Sequence, residues 1–300
     1  MLVREACRGV WVPLVTPFRD EAFDAGALTA LVEWLVGTGI GGFLVLGTTG
    51  EAPHVDEAEG EAIVRTAVRA AAGRVPVLAG SGRPSTAATI ATTRRWADAG
   101  AQGVLALTPF AYRARMDSAA LRRHYLTVAD AVPVPLFVYH MPDATGLDLE
   151  ADLLVDLVAH PNIWGFKDSS GVGGPLAEAL QRAKTIGFVG HGARLLEGLA
   201  AGASAGILAV AHLIPEVCVK IEASWRAGDS DAATEAQRHA TAVTHAMRGW
   251  TIPGVKYGLA WRGLPGGEPR RPLAPPPHDV EERIAAALSA ALADSLDTAS

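Results

Sequence analysis

Thiols are scarce in this sequence. Its 300 residues contain two cysteines, Cys7 and Cys218. They are too few and too far apart for a disulfide framework or a closely spaced pair of metal ligands, so both are expected to be reduced. Long apolar runs are missing too: none is long enough to cross a bilayer, and the opening MLVREACRGVWVP places charges where a secretory leader would have its apolar core. A soluble cytoplasmic protein with no membrane partner is expected. Charged residues make up 19% and the formal net charge is -6, which leaves no basic field for a phosphate backbone and excludes nucleic acid as an expected partner. The one clear basic cluster, Arg270 and Arg271, sits among prolines and is expected to be a solvated loop. The nine histidines include no HxH or HExxH pair. His140, His191 and His212 each close a different apolar run without a carboxylate companion arranged as metal ligands, so no metal is expected.

What the chain does have is apolar residues, 49% of the total, enough for one large core. Short β-rich runs alternate with Ala-rich amphipathic stretches from near the start to about residue 225, the pattern of repeated βα units. Eight runs are predicted as strands: Gly9–Leu14, Gly42–Leu46, Val75–Ala79, Gly103–Leu107, Leu136–Tyr139, Ile163–Lys167, Gly187–Val189 and Gly206–Val210. Helical patterns such as Ala25–Gly37, Glu57–Ala72 and Ser85–Ala99 lie between them. The runs are continuously apolar, as strands covered on both faces should be. WVPLVTPFRDE carries no GxGxxG turn, which argues against an open doubly wound sheet. The expected fold is therefore an α/β (β/α)8 TIM barrel over residues 1–225 with a C-terminal helical extension, 226–300, packed on it. Helices are expected within Pro215–Gly249 and Asp279–Ala293, joined by the stretch PRRPLAPPP, which cannot be regular helix.

A TIM barrel builds its active site at the carboxyl ends of its strands, so polar residues closing an apolar run are the ones to weigh. Four runs close this way: with GTTGE (Gly47–Glu51), TPF (Thr108–Phe110), YHMPDATG (Tyr139–Gly146) and FKDSSG (Phe166–Gly171). Lys167 is the sharpest signal, because a lysine ending IWGFK is hard to explain as surface solvation. Strand alternation separates Ile163, Gly165 and Lys167 from Trp164 and Phe166. With the aromatics toward the helices, the lysine faces the mouth, above space left by Gly165. Desolvation there favours the free amine, a nucleophile for a carbonyl. From this strand alone, an ion-paired structural lysine, with Asp168 or Glu51, is as well supported. Tyr139 ends the adjacent strand, where a phenol could move the protons that imine formation requires; a core tyrosine is the plainer reading. GTTGE offers hydroxyls, N–H groups and close backbone approach to a carboxylate, and an ordinary β-to-α turn would carry the same residues.

Taken together and in order, GTTGE, TPF, YHMPDATG, GFKDSSG and GASAGILAVAHLIP closely resemble the dihydrodipicolinate synthase and N-acetylneuraminate lyase family. The resemblance runs from VPLVTPF to VKYGLAWRG and RRPL. It implies a Schiff-base lysine at Lys167, a proton shuttle at Tyr139, and Thr48 and Thr49 binding the pyruvate carboxylate and relaying protons. Gly47 and Gly50 would shape that turn, and Ile207 would offer its backbone carbonyl near the imine. It further implies a homotetramer, no metal or organic cofactor, and as partners a small 2-oxo acid and an aldehyde.

Three positions depart from the family pattern. The arginine that grips the second substrate's carboxylate in the synthases is replaced by Ala144, and a methyl group cannot substitute for a bidentate guanidinium. Phe110 and Ala111 stand where the synthases have paired tyrosines, with Tyr112 one residue on. His140 replaces an asparagine and is read either as a substrate-pocket contact tuning a proton transfer or as a structural hydrogen-bond partner. The expected function is a lyase that makes or cleaves a C–C bond between pyruvate and an aldehyde through a lysine imine. Alternatives are a 4-hydroxy-tetrahydrodipicolinate synthase with its grip moved to Arg113 or Arg115, a 2-oxo acid dehydratase or deaminase, and a non-catalytic paralogue.

Overall fold

A computed structural model describes residues 2–170 and 174–297; Gly171, which ends the FKDSSG motif, lies outside the described residues. The strands are β1 (Gly9–Pro13), β2 (Phe18–Arg19), β3 (Ala22–Phe23), β4 (Gly42–Val45), β5 (Val77–Gly80), β6 (Gly103–Leu107), β7 (Leu136–His140), β8 (Ile163–Asp168), β9 (Ile186–Val189) and β10 (Ala205–Ile207). The helices are α1 (Ala25–Val36), α2 (Glu57–Ala71), α3 (Thr86–Asp98), α4 (Ser118–Ala131), α5 (Pro142–Thr145), α6 (Ala151–Val158), α7 (Gly174–Ala183), α8 (Leu195–Ala200), α9 (Pro215–Ala227), α10 (Ser230–Ala246), α11 (Thr251–Trp261) and α12 (His278–Asp297).

Eight parallel strands close in the order β1-β4-β5-β6-β7-β8-β9-β10, with β10 paired back onto β1, while β2 and β3 form a separate small ribbon. This is the (β/α)8 barrel that the alternating pattern predicts. Short polar side chains start the outer helices: Asp24, Asp56, Ser85, Asp117 and Asp229 each accept a hydrogen bond from the backbone N–H three residues on. The alternation of each strand then splits the apolar residues into two cores. Trp11, Leu44, Leu78, Leu105, Phe137 and Phe188 fill the barrel interior, whereas Val10, Val45, Val104, Val138 and Phe166 pack against the helices. No helix among the described residues is long and apolar enough to cross a membrane.

Three local expectations need correction. A register shift between Leu136 and Phe137 breaks the alternation in β8, so Ile163 joins Phe166 in the outer core while Trp164 packs on the inner one beneath the Arg4 guanidinium. Gly165 does not make room for the lysine: a Cβ there would lie 1.9 Å from the Ile186 carbonyl oxygen, so glycine is what lets β9 approach. The eighth strand ends at Ile207, and Ala209–His212 forms a 3-10 turn instead of continuing it. Beyond the barrel, Gly228 (φ 79°) ends α9 in the left-handed conformation. The VKYGLAW segment, to which the sequence pattern assigns no element, forms most of α11.

Candidate active site

The strand ends bring Lys167 and Tyr139 side by side. They are register partners on β8 and β7, and the Lys167 Nζ donates to the Tyr139 hydroxyl at 3.2 Å. Both side chains are buried, each 5% exposed. The amine also lies 4.3 Å from the phenol ring centroid, and Ser169 Oγ lies 3.4 Å from the hydroxyl. The sulfur of Met141 is 3.0 Å from that hydroxyl and 3.6 Å from Thr48 Oγ1, joining the threonine turn to the pair.

Burial pushes the Tyr139 phenol up. The Lys167 charge and hydrogen bonds from Ser169, Lys167 and Thr48 outweigh it, so the phenol sits below its ordinary value of 10.0. A phenol so placed can accept or return a proton beside the amine, which an ordinary buried tyrosine cannot: burial alone raises Tyr125. Tyr125 instead serves position. Its hydroxyl reaches Thr108, whose Oγ1 donates to the Tyr139 carbonyl at 3.1 Å.

His140 and Asp168 occupy the positions next to Tyr139 and Lys167 and lock the two strands together. His140 Nδ1 lies 2.9 Å from Asp168 Oδ1. Its Nε2 faces the Leu149 N–H at 3.3 Å and Asp148 Oδ1 at 3.4 Å, so the ring is held from both sides. Asp168 also receives the Ser170 N–H and hydroxyl, each at 2.9 Å. His140 is 1% exposed and follows Tyr139 in the strand. Its side chain therefore points to the opposite face from the phenol, where it joins strands instead of lining the pocket.

The Gly47–Glu51 turn carries Thr48 and Thr49 half-buried at the mouth, with Gly47 and Gly50 buried beneath. It closes on itself through Gly50 N–H to Gly47 C=O and Glu51 N–H to Thr48 C=O, both 3.1 Å. A Cβ at Gly50 would stand 2.9 Å from the Leu14 carbonyl oxygen, so the glycine permits this packing. Leu46 and Glu51, which flank the turn, adopt left-handed φ values of 54° and 55°, a strain on the order of 1–2 kcal/mol each for non-glycine residues.

That strain is held by residues the sequence did not reveal as a group. Buried Lys256 of α11 pairs with Glu51 Oε1 at 2.6 Å, and its amine also donates to the Thr16 carbonyl at 2.8 Å and the Glu268 carbonyl at 2.7 Å. The Arg270 N–H donates to Glu51 Oε2 at 2.9 Å. The Arg270 side chain bonds Glu59 with both Nη atoms, at 2.6 and 2.7 Å, and stacks 3.8 Å from the Phe18 ring centroid. Arg270 is thus a brace and not the solvated loop residue expected, while Arg271 is exposed. Lys256 carries the same signal as Lys167, a lone lysine in an apolar segment. Glu51 is taken by Lys256, so Lys167 does not have it as a partner.

Ile207 closes β10 with its side chain in the inner core, two strands from Lys167. A cleft of about 540 Å³ opens over the ends of β4 to β7, lined by Gly47, Thr48, Arg83, Leu107, Phe110 and Tyr139 among others. Tyr112 is 76% exposed and does not line it; Phe110 does. No cluster of three or more His, Cys, Asp or Glu among the described residues could hold a metal ion.

Comparison with known proteins matches the chain to a family. The chain is 33% identical to a 4-hydroxy-tetrahydrodipicolinate synthase of Acidiphilium cryptum, over 94% of this chain and 97% of that protein. It is 36% identical to a probable mitochondrial 4-hydroxy-2-oxoglutarate aldolase of Emericella nidulans, over 99% and 97%. The chloride-inhibited dihydrodipicolinate synthase of Acinetobacter baumannii, solved with pyruvate, superposes with a TM-score of 0.90 at 30% identity, covering 95% of this chain and 99% of that one. The model of the dihydrodipicolinate synthetase family matches residues 6–291, and the chain belongs to that family.

Proposed function

We infer that the protein is a class I lyase joining pyruvate to an aldehyde, or cleaving the product, through an imine on Lys167. The observation that carries this is a buried amine 3.2 Å from a phenol at the mouth of the barrel. The amine attacks C2 of pyruvate, Tyr139 moves a proton to the departing oxygen, and water leaves as the C=N bond forms. Loss of a proton from C3 gives an enamine. Its carbon adds to the aldehyde carbonyl, and the new alkoxide takes a proton. Water then hydrolyses the imine and frees the lysine; cleavage runs the same steps backward. Thr48, Thr49 and the N–H groups of their turn hold the pyruvate carboxylate, with Gly47 and Gly50 keeping that turn low. The Ile207 carbonyl faces the imine. His140 acts through Asp168 on the position of the pair. Catalysis needs no metal or organic cofactor, and the assembly is a homotetramer.

Incubation with pyruvate and borohydride is expected to add a reduced pyruvyl group to Lys167 by mass spectrometry. An unmodified Lys167 during turnover would end this reading.

A second reading has its own support. Arg113 lies against Gly146, its Nη1 2.7 Å from where a Cβ would stand. That puts a guanidinium over the loop in which Ala144 replaces the expected arginine, and favours a 4-hydroxy-tetrahydrodipicolinate synthase. Turnover of pyruvate with aspartate semialdehyde, against cleavage of a 4-hydroxy-2-oxo acid, separates the two.

A further inference from the structure

The cleft that contains Tyr139 and Thr48 also contains Arg83, in the turn that follows β5. Its walls are largely apolar, and the other charged residues that line it, Asp56 and Glu57, are already engaged: Asp56 caps α2 through the Glu59 N–H at 2.8 Å, and Glu57 pairs with Arg95 at 2.5 Å. Arg83 is different. It is half-buried, and its side chain has one hydrogen bond in the structure, from Nη1 to the carbonyl of its neighbour Gly82 at 3.0 Å. No carboxylate lies within ion-pair distance of its guanidinium among the described residues. Burial lowers it from the ordinary arginine value, opposed by the charge of Glu57, which is the sign of a cation held where water is depleted.

The backbone that presents it is fixed. The Arg83 N–H donates to Thr89 Oγ1 at 3.1 Å, and that hydroxyl lies 3.3 Å from the Arg83 carbonyl. Pro84 follows, and Gly82 presses against β6, where a Cβ would stand 2.5 Å from the Leu107 N. A rigid turn carrying a partly desolvated, unpaired guanidinium into a cleft is a built anion site, because bidentate donors to a carboxylate are worth most where water is excluded. Pyruvate has six heavy atoms and leaves most of about 540 Å³ for the second substrate.

We propose that Arg83 holds a carboxylate on the aldehyde partner, making the second substrate an anionic aldehyde that lies across the ends of β5 and β6 with its carbonyl toward Lys167. This rests on the Schiff-base reading and adds to it a specificity residue at a place other than the one Ala144 vacates.

The test uses the full-length enzyme, Arg83→Gln and Arg83→Lys, with two 4-hydroxy-2-oxo acids of matched length, one ending in a carboxylate and the other in a primary amide. Wild type is expected to favour the carboxylate in kcat/KM. Arg83→Gln should lose about 10- to 100-fold on the carboxylate substrate, mainly in KM, and much less on the amide. Arg83→Lys should fall between them. Equal losses on both substrates, or a wild type indifferent to the charge, would overturn the proposal. Borohydride trapping of pyruvate on wild-type Lys167 is read separately: no adduct removes the Schiff-base reading and this one with it, whereas an adduct without charge selectivity removes this one alone.

Discussion

Polar contacts at the candidate site meet at one hydroxyl, that of Tyr139. Amine, serine and threonine all converge on it, and each stabilises the deprotonated phenol more than the neutral one. Under the proposed mechanism the rising limb of kcat against pH reports this group and lies below the ordinary phenol value of 10.0. Ser169→Ala removes one stabilising hydrogen bond, so the limb is expected to move to higher pH; a limb that stays put would detach it from Tyr139. Tyr139→Phe should cut kcat by about 10²- to 10⁴-fold and leave the urea midpoint close to wild type, because the ring packing is retained. That both residues end apolar runs at the open end of a barrel was legible in the sequence, whereas strand position alone left a structural lysine and a core tyrosine open as readings. His140 was legible only as a choice between two roles. Its Asp168 partner sits on the neighbouring strand, and strand register is what brings them together.

At the scale of elements, α11 and the loop after it act on the threonine turn from far along the chain. Burial pulls the Lys256 ammonium below its ordinary value against the Glu51 carboxylate that supports it. Desolvation is the larger effect, so the pair contributes position more than net stability. Lys256→Met strands a buried carboxylate and is expected to cost about 3–5 kcal/mol in urea unfolding. Adding Glu51→Gln should restore part of that by removing the stranded charge. Equal stability of the single and double variants would show that the carboxylate is solvated and the brace weak. None of this was legible from local pattern: VKYGLAWRG and RRPL could be noticed as landmarks, but Glu51 and Arg270 meet across 219 residues. Nor did alternation reveal the bulge that turned Trp164 inward, because bulges are set by the neighbouring strand.

For the molecule as a whole, the seam where β10 meets β1 carries a neutral imidazole. His212 Nε2 accepts from the Val15 N–H at 3.0 Å, and its Nδ1 lies 2.9 Å from the Ala209 carbonyl, so neither nitrogen has room for a second proton. Burial lowers it from 6.5 to about 4, and His124 likewise to about 4. Between those values the unfolded chain binds protons that the folded one refuses, so stability falls as pH drops from 6.5 toward 4 and is regained above 6.5. Each group contributes up to roughly 3 kcal/mol by this route. Unfolding at pH 5.5 is therefore expected to take up about two protons from these groups, measurable from the slope of the urea midpoint with pH; a flat profile from pH 6.5 to 5.5 would contradict the buried neutral rings. The barrel itself was the most legible feature, since eight apolar runs and their spacing are repeated local signals, while its closure is a single nonlocal event.

That closure bears on how the chain is made. Strand β1 can pair early with β4 but finds its second lateral partner only at Ala205–Ile207, and the neighbouring Thr16 and Phe18 wait for Lys256 and Glu268. A nascent chain halted before Lys256 would hold Lys167 and Tyr139 but no support under Glu51. Competence thus waits for the segment from Lys256 to Arg270, and truncation before it should silence the enzyme well before it dissolves the barrel.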